Sequence, residues 1–256
     1  MGRRLTTFCA AMLVLAGTLP AAIQGKESSG IKNIVLVHGA WADGSSWSKV
    51  IPLLEARGLR ATAVQLPLTS LADDVAATQR AIAKQDGPVL LVGHSYGGAV
   101  ITEAGSEPKV AGLVYVAAFA PADGQSVLDA SAAYPTPGAA ELGLDQFGFL
   151  TMSDRGIHKY FAQDLSEIER ITLAATQGPT AASAFAMPIT SAAWKTKPTF
   201  YIVARNDRTL DPTLERKFAS AMKATTIELN SSHVPMLSRP FEVASFIRRA
   251  AHDDGE

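Results

Sequence analysis

The chain has 256 residues, 47% of them hydrophobic and 18% charged. That length suits one large α/β domain or two small ones, and the apolar share can bury a substantial core. The formal net charge is −1 with no basic stripe, which excludes the strongly basic classes that bind DNA, RNA or anionic membrane surfaces; the composition also excludes a disordered chain.

The first residues read as a targeting segment. Arg3 and Arg4 form a positive n-region, and Phe8 to Leu19 form an apolar h-region too short to span a bilayer. Small residues follow at Ala21, Ala22 and Gly25. A signal peptide over residues 1–25 is therefore expected, cut between Ala21 and Gly25. The residues after the paired arginines, Leu5-Thr6-Thr7-Phe8, fit a twin-arginine signal poorly, so ordinary secretion is the reading. The mature protein is expected to be periplasmic or secreted, with no membrane insertion. Cys9 is the single cysteine and lies inside this segment. The mature chain would then carry no disulfide, no cysteine metal ligand and no thiol nucleophile. Loss of Arg3 and Arg4 takes 23 basic residues to 21 against 24 acidic, net −3.

From Ile31 onward, strand and helix patterns alternate. Ile31 to Val37 is a β-rich apolar run ending at His38-Gly39-Ala40-Trp41. Gly44 to Gly58 reads as a loop and then a helix, with Gly58 as its stop. Arg60 to Leu66 is a second strand. Ser70 to Lys84 is a helix capped by Ser70, with Asp73 in the capping-box position and Leu71, Val75, Thr78 and Ile82 at helical spacing. After Gly87-Pro88, Val89 to Val92 is a buried strand. Gly93-His94-Ser95-Tyr96-Gly97 is a sharp turn, a helix runs on towards Pro108, and Val110 to Ala117 is another buried strand. Short apolar strands between amphipathic helices predict an α/β fold: a mostly parallel central sheet with helices on both faces.

The rhythm stops from Pro121 to about Lys197, where Ala, Gly, Pro and Ser dominate. One helix is expected near Leu165 to Thr176 and a short one near Thr180 to Phe185. So long a stretch is expected to be a cap, about 121–197, inserted into a domain spanning 31–256. The pattern resumes with a strand at Thr199 to Ala204 and a helix from Asp211, with Pro212 in its first turn, to Met222. A strand at Thr225 to Leu229 follows. The last helix, Phe241 to Ala251, should turn Phe241, Ala244, Phe246 and Ile247 inward. No internal repeats are visible.

Gly93 to Gly97 is a G-x-S-x-G pentapeptide in a strand–turn–helix context, the setting of a nucleophile elbow. A serine hydroxyl needs a base to take its proton and a carboxylate to orient that base. In an open α/β sheet ligands gather outside the C-terminal strand ends. Asp207 lies just after one late strand and His233 just after the next, and Ser, Asp, His is the chain order this fold class uses. Asp211 reads instead as a helix cap, and Asp123, after an earlier strand, is the more distant rival. Two N–H donors must meet the negative charge that develops on the substrate oxygen. Tyr96 supplies one and Ala40, beside Gly39, the other. His38 and His94 are expected to order their turns, and His158 and His252 to be solvated. No histidine pair has metal-ligand spacing, so no metal site is expected.

The segments VLVHGAW, GHSYGG, ARNDRTLDP and SSHVPMLSRP, in that order, resemble the α/β-hydrolase superfamily. More narrowly, they resemble the branch holding plant methyl esterases, hydroxynitrile lyases and their bacterial esterase relatives. The resemblance covers about Ile31 to Ala250 and is weakest across the cap. It implies a Ser95-Asp207-His233 triad, oxyanion donors at Ala40 and Tyr96, a small-molecule ester substrate and no cofactor. One departure bears on the reaction. The lyase pattern has Thr after the first-strand His and Lys after the catalytic His, where this chain has Gly39 and Val234. A lysine charge helps hold departing cyanide, so hydrolysis of carboxylic esters or lactones stands ahead of cyanohydrin cleavage. A binding protein on the same fold, or hydrolysis of an amide or carbon–carbon bond, are the alternatives. Trp41 at the floor, with Phe147, Phe149, Met152, Phe185, Met187 and Trp194 from the cap, are the candidates for an apolar pocket.

Overall fold

The computed structural model describes residues 1–2 and 30–252. The signal segment expected over 1–25 lies, beyond its first two residues, outside the described residues. Among those described, no helix is long and apolar enough to cross a membrane.

The chain alternates as expected through β1 (Asn33–Val37), α1 (Ile51–Glu55), β2 (Arg60–Ala63), α2 (Leu71–Ala83), β3 (Val89–His94), α3 (Gly97–Ala104) and β4 (Val110–Val116). An intervening region holds α4 (Val127–Ser131), β5 (Leu142–Leu144), β6 (Phe149–Met152), α5 (Asp154–Gly156), α6 (Glu167–Thr176), β7 (Thr180–Ala181) and α7 (Ala182–Ala186). The alternation then closes with β8 (Thr199–Ala204), α8 (Pro212–Ala221), β9 (Thr225–Leu229), α9 (Pro235–Ser238) and α10 (Pro240–His252).

The main sheet has the order β2-β1-β3-β4-β8-β9, with all neighbours parallel. Its central strands are buried on both faces, which is why β1, β3 and β8 read as unbroken apolar runs. α1 touches α10 and α2 touches α3, the two pairs that crossovers of the usual right hand place on opposite faces of such a sheet. The chain reverses its direction of travel between β1 and β3. A crevice opens at such a switch point, and it is where the site forms.

Several elements depart from the sequence reading for local reasons. β2 ends at Ala63 rather than Leu66: Val64 N–H still donates to Leu36 O, but Leu66 N–H turns to the ring of His38. On α2, Val75 is only half-buried and Asp74 is fully buried. On α10, Phe241 is 71% exposed. At about 100° per residue it lies across the helix from the buried stripe of Val243, Phe246, Ile247 and Ala250. The stretch near Thr180 splits into strand β7 and helix α7. β5, β6 and β7 form a small antiparallel sheet that the sequence reading did not contain.

Candidate active site

Ser95 sits between β3 and α3 with φ +52°, in the left-handed region. A non-glycine residue there stores of the order of 1–3 kcal/mol of strain, held by its surroundings. Those surroundings are tight. A Cβ on Gly97 would meet His38 O at 2.4 Å, and one on Gly39 would meet Ser95 Cβ at 2.7 Å. Only glycine lets the loop after β1 lie directly against the elbow.

His233 follows β9 on a loop held by the intervening region, where Asp164 accepts from Ser232 N–H at 2.8 Å and from its hydroxyl at 2.5 Å. Ser95 Oγ–H donates to His233 Nε2 at 2.7 Å, and His233 Nδ1–H donates to Asp207 Oδ2 at 2.5 Å. The other carboxylate oxygen of Asp207 accepts from Thr209 N–H at 2.7 Å and Leu210 N–H at 2.9 Å. All three side chains are buried. The neighbouring Arg205 is paired with Glu228 instead of Asp207. The two rival carboxylates are otherwise engaged: Asp211 caps α8 by accepting from Thr213 N–H, and Asp123 pairs with Lys195 at 2.6 Å on the surface.

Of the remaining histidines, His38 and His252 stand as expected, whereas His94 bonds beyond its own turn and His158 is half-buried. His38 Nδ1–H donates to Gly39 O at 2.8 Å, leaving Nε2 to accept from Leu66 N–H. Burial lowers its pKa and favours the neutral ring. His94 reaches further than its own turn: Nε2–H donates to the backbone carbonyl of His233 at 2.8 Å. Burial, with the nearby His233, holds His94 well below the ordinary imidazole range. His158 lies 3.7 Å from Glu167 and His252 is exposed. Among the described residues, no cluster of three or more His, Cys, Asp or Glu side chains could hold a metal ion.

Ala40 and Tyr96 are buried at the C-terminal ends of adjacent strands β1 and β3. Among the described residues, neither backbone N–H has a hydrogen-bond acceptor in the protein. A buried unpaired N–H is rare. Here two fall beside Ser95, at the positive end of α3.

A cavity of about 170 Å³ opens onto Ser95. Trp41, Phe119, Leu142, Leu150, Met152 and Phe185 line it with other, mostly apolar residues. Trp41 is held by its indole N–H on Leu150 O at 3.0 Å and stacks on Phe185, ring centroids 5.9 Å apart. Met187 does not belong to the pocket: it follows the end of α7, two residues past Phe185, and is 47% exposed. Phe147 is 76% exposed at the tip of the β5–β6 hairpin, and Trp194 turns its indole to Pro121 O. Three residues around the site had no part in the sequence reading: Asp74, Asp164 and Glu215. Asp74 carried a signal, since it shares the i, i+4 buried spacing with Thr78 on α2.

The alpha/beta hydrolase family profile matches residues 34–246. Among curated relatives, a probable hydrolase R7 of Phoma sp. is 26% identical over 247 residues, covering 85% of this chain and 97% of that protein. Methylesterase 2 of Arabidopsis thaliana is 35% identical over 106 residues, a match covering 35% of this chain and 40% of that one. Among solved structures, the pyrethroid hydrolase PytH bound to BIF superposes with a TM-score of 0.76 at 26% identity, covering 88% of this chain and 100% of that chain. The chain belongs to the alpha/beta hydrolase family and is a hydrolase.

Proposed function

We propose that this protein is a serine esterase acting on uncharged carboxylic esters of small molecules. Ser95 attacks the acyl carbon while His233 takes its proton. Asp207 holds the imidazole in the right tautomer and stabilises the cation that forms. The Ala40 and Tyr96 N–H groups receive the developing oxyanion. His233 then returns the proton to the leaving alcohol, and water, activated by the same ring, releases the acid. The observation that carries this reading is the unbroken line from Asp207 through His233 to Ser95, with hydrogen bonds of 2.5 and 2.7 Å. Esterase relatives support the same bond class, among them a methylesterase and a carbendazim-hydrolysing esterase. The apolar cavity supports an uncharged acyl group. Val234, buried where the lyase pattern has lysine, offers no cation for cyanide.

The test is turnover of p-nitrophenyl butyrate. Ser95→Ala should lower kcat by at least about 10³-fold while the melting temperature stays at or above that of wild type. Undiminished turnover in that variant overturns the mechanism.

We further propose that the protein is exported, on the strength of the n-region and h-region at its start. Protein recovered from the periplasmic or secreted fraction should begin between Ala22 and Lys26 when its N-terminus is sequenced. A cytoplasmic protein that still begins at Met1 defeats the proposal.

A further inference from the structure

Asp74 is the fully buried carboxyl of α2, and it faces the site from behind. Its Oδ2 accepts from the Tyr96 hydroxyl at 2.8 Å and its Oδ1 from Leu68 N–H at 2.8 Å. Leu68, itself at φ +57°, accepts through its carbonyl from Ala181 N–H of β7 at 2.8 Å. One side chain thus joins the residue after Ser95 to the loop before α2, and that loop to the edge of the small sheet. The Tyr96 ring also leans on Phe185 of the pocket wall, centroids 5.2 Å apart.

The charged and titratable groups facing Asp74 are few. Tyr96 comes from the start of α3 and Asp73 from its own helix; no cation among the described residues pairs with it. Burial, together with Asp73, pushes its pKa up to about 6, against the pull of its two hydrogen bonds. An unpaired carboxylate is an expensive group to bury for packing alone. What it offers is a charge-assisted acceptor for one hydroxyl, and that hydroxyl belongs to the residue next to Ser95, whose backbone N–H is the proposed oxyanion donor.

Resting on the esterase reading above, we propose that Asp74 and the Tyr96 hydroxyl form a positioning pair that fixes the direction of the Tyr96 N–H donor. The pair touches no substrate. It acts on the rate of the chemical step through the orientation of one peptide group, since oxyanion donors work by being fixed before charge develops. Ground-state binding in the apolar cavity is left alone.

The test compares wild type, Tyr96→Phe, Asp74→Asn and the double variant on p-nitrophenyl butyrate, below the melting temperature of each. Each single change should lower kcat about tenfold and move KM less than about twofold, because misplacing a donor costs less than deleting it. The double variant should be no slower than the slower single variant, since both changes cut one link. Wild-type kcat in Tyr96→Phe overturns the proposal, as does a double variant whose loss is the product of the two singles. A change in KM with kcat intact also overturns it. If Asp74→Asn fails to fold, Tyr96→Phe, which keeps the ring, decides alone. Failure of the esterase reading is separately visible: wild type would then turn the ester over no faster than Ser95→Ala, whereas failure of the pair alone leaves that difference in place.

Discussion

Glu215 is a carboxyl whose surroundings disfavour its charge. It lies on α8 with no exposed surface, and its Oε2 accepts from Ala204 N–H at the end of β8 at 3.0 Å. Its side chain also neighbours that of Asp207. Burial, reinforced by the charge of Asp207, raises its pKa well above the ordinary carboxyl range. It stands beside Asp207 as a second buried carboxyl. This has a consequence for stability. Above the unfolded-state pKa of about 4.5 the unfolded chain releases a proton that the folded chain keeps, so stability falls with rising pH by about 1.4 kcal/mol per unit. The fall continues until the folded carboxyl itself ionises. Glu215→Gln keeps the shape and the neutral state but removes the titration. Its melting temperature relative to wild type should therefore climb as the pH is raised from 5 towards 8, levelling where the folded carboxyl ionises. A difference that stays flat across that range would mean that Glu215 is ionised in the fold.

At the scale of elements, what could be read from sequence follows how local each determinant is. The strand–elbow–helix unit is written within Val89 to Ala104, where apolar residues make the strand and small residues permit the tight turn. β8 and β9 were legible for the same reason: each is a short apolar or β-branched run between loop residues. Asp207 and His233 could be located because an α/β sheet brings the ends of all its parallel strands to one rim, whatever the sequence distance. The small sheet is the opposite case. β6 pairs with β7 through Phe149↔Ala181 and Leu150↔Thr180, partners thirty and more residues apart, and β7 is only two residues long. No periodicity fits in so short a strand. Met187 failed as a pocket residue because its direction depends on where a five-residue helix ends, and Phe241 because a phase shift of one or two residues, about 100° each, decides which face it joins. Asp74 was hidden by its chemistry: a charged residue on a helix reads as solvated, and only the approach of Tyr96 from another element gives it a buried partner.

At the scale of the whole molecule, Ser95, Asp207 and His233 follow strands of the main sheet, and the intervening region lines much of the cavity beside Ser95. On the esterase reading proposed above, that division sets a charge rule for substrates. Among the described residues, no lysine, arginine or histidine lines the cavity, and the one charged lining residue is Asp211. The cavity, at about 170 Å³, is smaller than the roughly 300–1,000 Å³ typical of drug-sized ligand sites, so it suits a short acyl chain or a single ring. A carboxylate carried into it would lose its hydration, find no counter-ion and face Asp211, a cost of several kcal/mol. The same physics helps expel the acid formed by hydrolysis, which leaves as an anion. p-Nitrophenyl butyrate and p-nitrophenyl hemisuccinate isolate this effect, since their acyl chains are of equal carbon length and differ in one terminal carboxylate. About 3 kcal/mol of uncompensated desolvation corresponds to a hundredfold, so kcat/KM for the hemisuccinate should be lower by at least that factor. The gap should narrow only modestly as salt is added, because desolvation, unlike long-range repulsion, is not screened. Equal kcat/KM for the two esters would mean that the acyl group does not enter this cavity, and would move the substrate's acid half to a different face of Ser95.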